Sequence, residues 1–395
     1  MSRILIVSHD LKPSNYHLMP WRTLLEVAKY SVRANNDTLI LSLQNKNYER
    51  WSAENVDILP FQKPRSKSSL ADLKRSIERF NPDVIFWPIS WWRMGRSKKL
   101  LKSIHASKIA YVPGSFYFVK STLLALPHLG IKSTSAYLRQ AIYPNYLLTQ
   151  ELTTAGFSKT IAITELTKSK LTANKSKIDS NRVVVIPPGR PCHLYTSINT
   201  QHSKLKSILP TTEPYFLFFG PPTAIRGVRQ LLEAFKLVAS KHQTINLICL
   251  FREDSNIDLK KIMLTFAGKS KHARCHYIWK SLDKETLNYF ISKCYAVVLP
   301  FLIVPSEIPL AIIESLGHGK KVITTGPSGT GDFVNSFGKT AKASNSKDLA
   351  EKMLELIEEN GNFNGTNEDL IKMYQAHPTW EEVGKRWLTV SQFES

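Results

Sequence analysis

The chain has 395 residues and a mass of 44.9 kDa, more than one hydrophobic core usually supports, so two domains are expected. Hydrophobic residues at 43% and charged residues at 22% exclude a disordered or fibrous chain. The formal net charge of +21 is uneven: 29 Lys and Arg face 12 Asp and Glu up to residue 195, against 24 and 20 in the remainder.

The first segment, MSRILIVSHD, alternates as a strand does and lacks the apolar core and cleavage site of a secretory signal. DTLILSLQ, PDVIFWPIS, SKIAYVPG, KTIAITE and RVVVIPPG are further apolar runs ending in polar, Pro or Gly residues, as buried parallel strands do. Helix-length amphipathic segments separate them, the pattern of βαβ units. The run PRSKSS at 64–69 reads as a solvated loop. Between Val84 and Gln150 there are nine basic residues and no acid, interleaved with Trp87, Trp91, Trp92 and several Phe and Tyr. That surface suits phosphate, in nucleic acid or anionic lipid, or else is a solvated basic face over core aromatics. Within it, segment 116–150 reads either as an interfacial element or as a buried helix pair.

Segment 196–213 is polar and aperiodic and is assigned as the linker. A second series starts with the strand PYFLFFG, the loop GPPTAIRG, and a helix over Val228–Lys241 with Val228, Leu231, Leu232, Phe235 and Val238 at helical spacing. INLICLF, YAVVLP and KKVITTG continue it as strands. Cys192, Cys249, Cys275 and Cys294 show no zinc or disulfide spacing, which fits a reducing cytoplasmic compartment. No apolar run reaches the roughly 20 residues needed to span a bilayer. The last segment, HPTWEEVGKRWLTVSQF, opens with a capping box at Thr379 and Glu382 and carries an apolar stripe of Trp380, Val383, Trp387 and Val390 that must dock.

In parallel sheets, ligands bind beyond the carboxyl ends of the strands. After YAVVLP comes FLIVPSEIPLAIIESLGHG, in which Ser306 and Pro309 predict the opening turn of a helix, with N–H groups able to hold phosphate oxygens. Glu307 and Glu314 then fall on roughly one helix face, placed to grip sugar hydroxyls or simply solvated, and Gly317 and Gly319 end the helix. Gly220, Arg226 and Gly227 lie in a strand-to-helix loop, where Arg226 offers a fork for diphosphate. The run GPSGTGD lacks the Lys-Ser/Thr of a P-loop but admits a backbone lining for an anion.

Taken in order, these blocks resemble the family 4 glycosyltransferases over nearly the whole chain: PYFLFFGPPTAIRGVRQLLEAF, RVVVIPPGRP, SEIPLAIIESLGHGKKVITT and HPTWEEVGKRW. The resemblance implies an α/β chain of GT-B fold, two Rossmann-like domains facing across a cleft. Residues 1–195 would form the acceptor domain, completed by the crossing helix 379–395, and 214–378 the nucleotide-sugar domain. It implies retention of anomeric configuration with neither metal nor other cofactor, and no D-x-D run is present. Arg226 would take the diphosphate and Glu307 the transferred sugar, these two being the catalytic pair. Glu314 would bind the ribose, Ser306 and Ile308 to Leu310 (Ile308, Pro309, Leu310) the phosphates, and Ile278 and Trp279, in the loop after a strand, the base. His9, Asp10, His17, Gly114 and Ser115 lie on the acceptor side, either at the acceptor or as loop hydrogen bonders.

Four departures from the family pattern stand out. The glutamate spacing is one residue short, and Pro221 replaces an Arg, leaving its phosphate to Arg229 or Arg252. The loop HDLKPSNYHLMP has no glycine, and Pro113 stands where a His is usual. With the basic N-terminal half, the expected partners are a nucleotide-sugar, a lipid-linked or glycan acceptor and an anionic membrane whose inner face holds the protein peripherally. The competing readings are a basic nucleic-acid-binding protein, which has no recognised motif, and an inactive GT-B partner subunit.

Overall fold

A computed structural model describes residues 1–45, 49–92, 94–173, 176–192, 209–252, 274–326, 328–359 and 367–392; the expected linker lies outside these up to residue 208. The first domain is built on an eight-stranded sheet. Its strands are β1 (Arg3–His9), β2 (Asp37–Gln44), β3 (Trp51–Ala53), β4 (Val56–Gln62), β5 (Val84–Pro88), β6 (Ser107–Tyr111), β7 (Lys159–Ala162) and β8 (Val183–Val185). They lie in the order β3-β4-β2-β1-β5-β6-β7-β8, parallel except for the antiparallel β3–β4 pair. β1 is central and buried from Ile4 to Ser8, pairing Ile4 with Thr38 on one side and Val84 on the other.

The hairpin β3–β4 is not apparent in the sequence. Its turn residues Glu54 and Asn55 both have positive φ (50° and 68°), the geometry of a tight hairpin turn achieved here without glycine. Helices α1 (Trp21–Arg33), α2 (Lys67–Phe80), α3 (Arg96–Lys102), α4 (Val119–Leu124), α5 (Leu126–Ile142), α6 (Asn145–Ala155) and α7 (Glu165–Leu171) connect the strands. The run 64–69 is a helix start rather than a loop: Ser66 caps α2 by accepting from the Ser69 N–H, and Ser69 reciprocates.

The second sheet contains β9 (Tyr215–Gly220), β10 (Asn246–Phe251), β11 (Cys275–Trp279), β12 (Ala296–Leu299), β13 (Val322–Thr325) and β14 (Lys339–Ala341). All are parallel, in the order β11-β10-β9-β12-β13-β14, so the winding reverses between β9 and β12. Helices α8 (Val228–Lys241), α9 (Lys284–Lys293), α10 (Leu310–Gly317), α11 (Thr330–Val334), α12 (Ser346–Glu359) and α13 (Glu368–Ala376) complete this domain. The five apolar positions expected on α8 are all buried.

The terminal helix α14 (Trp380–Gln392) returns to the first domain. Thr379 and Glu382 form its capping box, with reciprocal bonds of 2.6 and 3.2 Å. Val383, Trp387, Leu388 and Val390 are buried among Ile4, Ile6 and Phe86. Trp380 stands apart from that stripe, half-buried against Gly189, where a Cβ would come within 2.7 Å of the Trp380 backbone nitrogen. Arg190 next to it donates to the carbonyls of His377 (2.9 Å) and Gln375 (2.8 Å), fastening the end of β8's loop to the start of α14.

The Trp387 ring lies 5.1 Å from that of Phe86 and 5.4 Å from that of Tyr111, centroid to centroid. Trp387→Ala should therefore lower stability by about 3–5 kcal/mol, measured by urea unfolding. A loss below about 1 kcal/mol would mean that α14 is not part of this core.

Candidate active site

The reversal between β9 and β12 places two loops at the crevice where open parallel sheets bind ligands. The first runs from Gly220 through a single helical turn, Ala224–Arg226, into α8. Gly227 is obligatory there: its φ is +69°, and a Cβ would fall 1.8 Å from the Pro300 carbonyl oxygen. The backbone thus packs directly on the second loop, 300–309. Leu302 and Ile303 N–H groups donate to the Ile225 carbonyl (2.8 and 3.3 Å), and the Arg226 guanidinium lies 5.0 Å from the Phe301 ring centroid.

Arg226 forms no ion pair among the described residues. Its pKa is pushed down to about 10, first by burial and then by the nearby positive charge of Arg252. A buried guanidinium beside a second positive charge is held at a cost that a nearby anion would relieve. Arg229, the other cation able to serve the phosphate that Pro221 cannot bind, is exposed and paired with Glu233 at 3.0 Å. Thr223, which belongs to no motif in the sequence, adds a buried hydroxyl without a hydrogen-bond partner to the same loop.

The glutamate block departs from expectation. The helix begins at Leu310, with Pro309 extended at the cap position (ψ 139°), so Ser306 and Glu307 belong to the preceding loop. Glu307 and Glu314 therefore do not share a helix face. Pro309 has no N–H to offer, and the amides that open α10 are those of Leu310 and Ala311. Ile308 is a core residue, 3% exposed.

Glu307 is fully buried and turned toward the first domain. Its Oε2 accepts hydrogen bonds from Thr164 (2.5 Å) and Thr167 (2.7 Å), at the start of α7. Burial raises its pKa above the ordinary range, opposed by these two hydroxyls and then by the Phe116 and Gly329 amides, which lie near the carboxylate without closing a hydrogen bond on Oε1. Its carbonyl accepts from Thr330 Oγ1 at 2.7 Å, so Thr330, from the glycine-rich run GPSGTGD, braces this glutamate. Alongside, Ser115 N–H donates to the Pro305 carbonyl (3.2 Å), and a Cβ on Gly114 would sit 3.5 Å from the same oxygen. Ser115 Oγ, Ser306 Oγ and Glu307 Oε1 are all buried there without hydrogen-bond partners, unspent capacity for a ligand's hydroxyl groups.

Glu314 lines a cleft of about 1000 Å³ between the domains, together with Lys284, His17, Arg22 and the Gly189–Arg190 segment. Burial raises its pKa and Lys284 opposes the rise. His17 lines the same cleft, its pKa lowered by burial and then by Arg252 and Arg22. His9 ends β1; its imidazole is pushed down to about 4 by the surrounding protein and by Lys63. Asp10 is engaged elsewhere, in an ion pair with Lys63 at 2.6 Å. Ile278 and Trp279 are the last residues of the edge strand β11 rather than of a loop, and Trp279 rests 4.5 Å from the Phe251 ring. Among the described residues no group of three or more His, Cys, Asp or Glu gathers to hold a metal. Thr164 and Thr167 had no signal in the sequence, being more than 100 positions from the glutamate they hold.

Residues 213–359 match the family model for glycosyl transferases group 1. Similar solved structures span the whole chain. A glycosyltransferase from Rickettsia africae is 18% identical with a TM-score of 0.71, covering 100% of this chain and 99% of that one. Anabaena HepE in complex with UDP-glucose is 14% identical with a TM-score of 0.67, covering 98% and 99%. WaaG, a glycosyltransferase involved in lipopolysaccharide biosynthesis, is 11% identical with a TM-score of 0.66, covering 99% and 100%. The architecture is that of the GT-B fold. A comparison with curated proteins gave no significant match.

Because Glu307 binds its proton more tightly in the native state than in the unfolded chain, its contribution to stability is full below the ordinary glutamate range and falls as pH rises through its native value. Thr164 and Thr167 limit that fall by donating to the ionised form. The Thr164→Val, Thr167→Val double variant should thus lose about 2 kcal/mol more at about pH 8 than at about pH 4 in urea unfolding. Equal losses at both values would show that the hydroxyls serve packing alone.

Proposed function

We propose that the protein is a glycosyltransferase that moves a sugar from a nucleotide-sugar donor to a hydroxyl acceptor. The observation that carries this reading is the buried Arg226, set on the Phe301 ring in the loop at the switch point of the second sheet, with the unpartnered Thr223 hydroxyl in the same loop. The family match over this same domain and the UDP-glucose of Anabaena HepE support a nucleoside diphosphate as the anion.

The acceptor hydroxyl oxygen forms a bond to the anomeric carbon while the bond from that carbon to the β-phosphate oxygen breaks. The electron pair leaves with the nucleoside diphosphate, and a departing phosphate oxygen takes the acceptor's proton. Arg226, with the amides of Leu310 and Ala311, supplies positive potential where charge develops on the leaving group. Glu307, braced by Thr164, Thr167 and Thr330, offers Oε1 to the sugar, with Ser115 and Ser306 as neighbouring hydroxyls. Glu314 takes the ribose and the β11 end, with Ile278 and Trp279, frames the base.

The reaction is read as retaining, with the acceptor entering on the face from which the diphosphate departs. It is also read as free of metal, since Arg226, Arg252 and the helix start provide the positive charge themselves. The excess of basic residues before residue 195 favours an acceptor at an anionic membrane, a lipid-linked or surface glycan on the cytoplasmic side. The lipopolysaccharide role of WaaG points the same way. Among the described residues no helix is long and apolar enough to cross a membrane, so contact would be peripheral.

Calorimetric titration with UDP, GDP and ADP should find saturable binding of one of them. Arg226→Ala should weaken it about 30-fold, the loss of one charge-assisted hydrogen bond of about 2 kcal/mol, and Glu314→Ala should weaken it as well. If instead only a short RNA bound, with steep salt dependence and no effect of either substitution, the basic half would be a nucleic-acid surface and the donor site would fall.

A further inference from the structure

Ten large apolar side chains are exposed among the described residues, and seven of them fall between residues 119 and 146, led by Ile131 (81%), Ile142 (59%) and Leu123 (49%). This stretch is an arm made of α4, α5 and the start of α6. Ile131 and Ile142 are three helical turns apart and so project on one side of α5, with Lys132 and Arg139 in the adjoining row. Lys120, Lys132 and Arg139 are exposed and form no ion pair among the described residues, and the chain has no acid from 84 to 150. Exposed aliphatic side chains interspersed with exposed cations and no acid suit the boundary of an anionic bilayer.

The other side of the arm is packed on the second domain. Tyr117, Leu129 and Tyr137 sit against Ile225, Leu302 and Ile303, and the Gln230 amide donates to His128 Nε2 at 3.0 Å. Ile225 immediately precedes Arg226 in the diphosphate turn, and its carbonyl is held by the Leu302 and Ile303 amides. α5 is broken at Gly130 (φ 75°, ψ 164°), between His128, which touches the second domain, and Ile131, the most exposed side chain of the arm. One element therefore presents an apolar, basic rim outward and grips the anion-binding turn inward.

We propose that the 119–146 arm seats on an anionic lipid surface and that this seating tightens the turn Ala224–Arg226 around the donor's diphosphate. The coupling rests on the glycosyltransferase reading; the docking surface does not.

Full-length protein is sedimented with vesicles of phosphatidylglycerol and phosphatidylcholine, or of phosphatidylcholine alone, and titrated with UDP in the presence and absence of each. The mixed anionic vesicles should carry the protein down and the neutral ones should not. The Leu123→Ser, Leu124→Ser, Ile131→Ser variant, altered only at exposed positions, should lose at least about tenfold in partition while keeping its vesicle-free UDP affinity. Anionic vesicles should tighten UDP binding about fivefold in the wild type. Gln230→Ala should keep the partition and lose the tightening. Failure to partition, or partition indifferent to the triple variant, overturns the docking surface. Partition without tightening overturns the coupling. A concentration-dependent dimer abolished by the triple variant, without vesicle binding, assigns the arm to a second copy and overturns the proposal. If UDP, GDP and ADP all fail to bind, it is the donor site that is wrong, and vesicle partition still decides the surface.

Discussion

The arrangement of this molecule turns on one buried carboxylate. Glu307 comes from a loop of the second domain, yet its side-chain hydrogen bonds go to Thr164 and Thr167 of the first. An ionised carboxylate removed from water costs several kcal/mol unless its lone pairs are met, and bonds to a charged group return about 1.5–3 kcal/mol each. The two hydroxyls therefore register the domains at this point, since they meet the carboxylate only while the seam is closed. The loops that meet here, 113–116 and 305–307, also carry three polar atoms without partners. The seam is tied on one side of the glutamate and open in hydrogen-bonding terms on the other.

The charge distribution divides along the same line. In the second domain the cations of the crevice are few and specific: Arg226 on Phe301, with Arg252 close enough to depress its pKa. In the first domain they are many and diffuse, and those of the 119–146 arm form no ion pairs among the described residues. A fixed pair of guanidinium groups selects an anion by geometry, whereas a spread of exposed lysines selects a surface by potential. Both kinds of charge arrangement occur in one chain, joined by the packing of Tyr117, Leu129 and Tyr137 on Ile225 and its neighbours.

Much of the fold could be read from the residues because its signals are local. Strand runs such as RILIVSH and YFLFFG are buried along nearly their whole length, and the spacing of Val228, Leu231, Leu232, Phe235 and Val238 marks α8 at its observed limits. The place of Arg226 in the turn between β9 and α8 could be read as well, since a strand, a glycine and a helix follow one another there. What could not be read depends on distance or on unusual backbone. Glu54, of a type that rarely takes positive φ, turns a hairpin together with Asn55, and Ser66 caps a helix inside a serine-rich run that looks like loop. The Glu307–Glu314 spacing describes a helix face only if the helix includes both, and Pro309 delays its start to Leu310. The partners of Glu307 lie 140 and 143 positions away, beyond any periodicity.

The terminal helix has a consequence for how the chain is made. Val383, Trp387, Leu388 and Val390 pack with Ile4, Ile6 and Phe86, so the core of the first domain is completed by residues translated after the entire second domain. During synthesis the first domain emerges with that apolar face of its sheet uncovered, and it stays so until the ribosome has added about 200 further residues, which at the usual rate of elongation is on the order of tens of seconds. Until then the second domain can close its own sheet independently, since its strands and helices are contiguous from Tyr215 to Ala376. Residues made after the whole second domain thus finish the first, and the Arg190 clasp at the foot of α14 forms only when that late helix arrives.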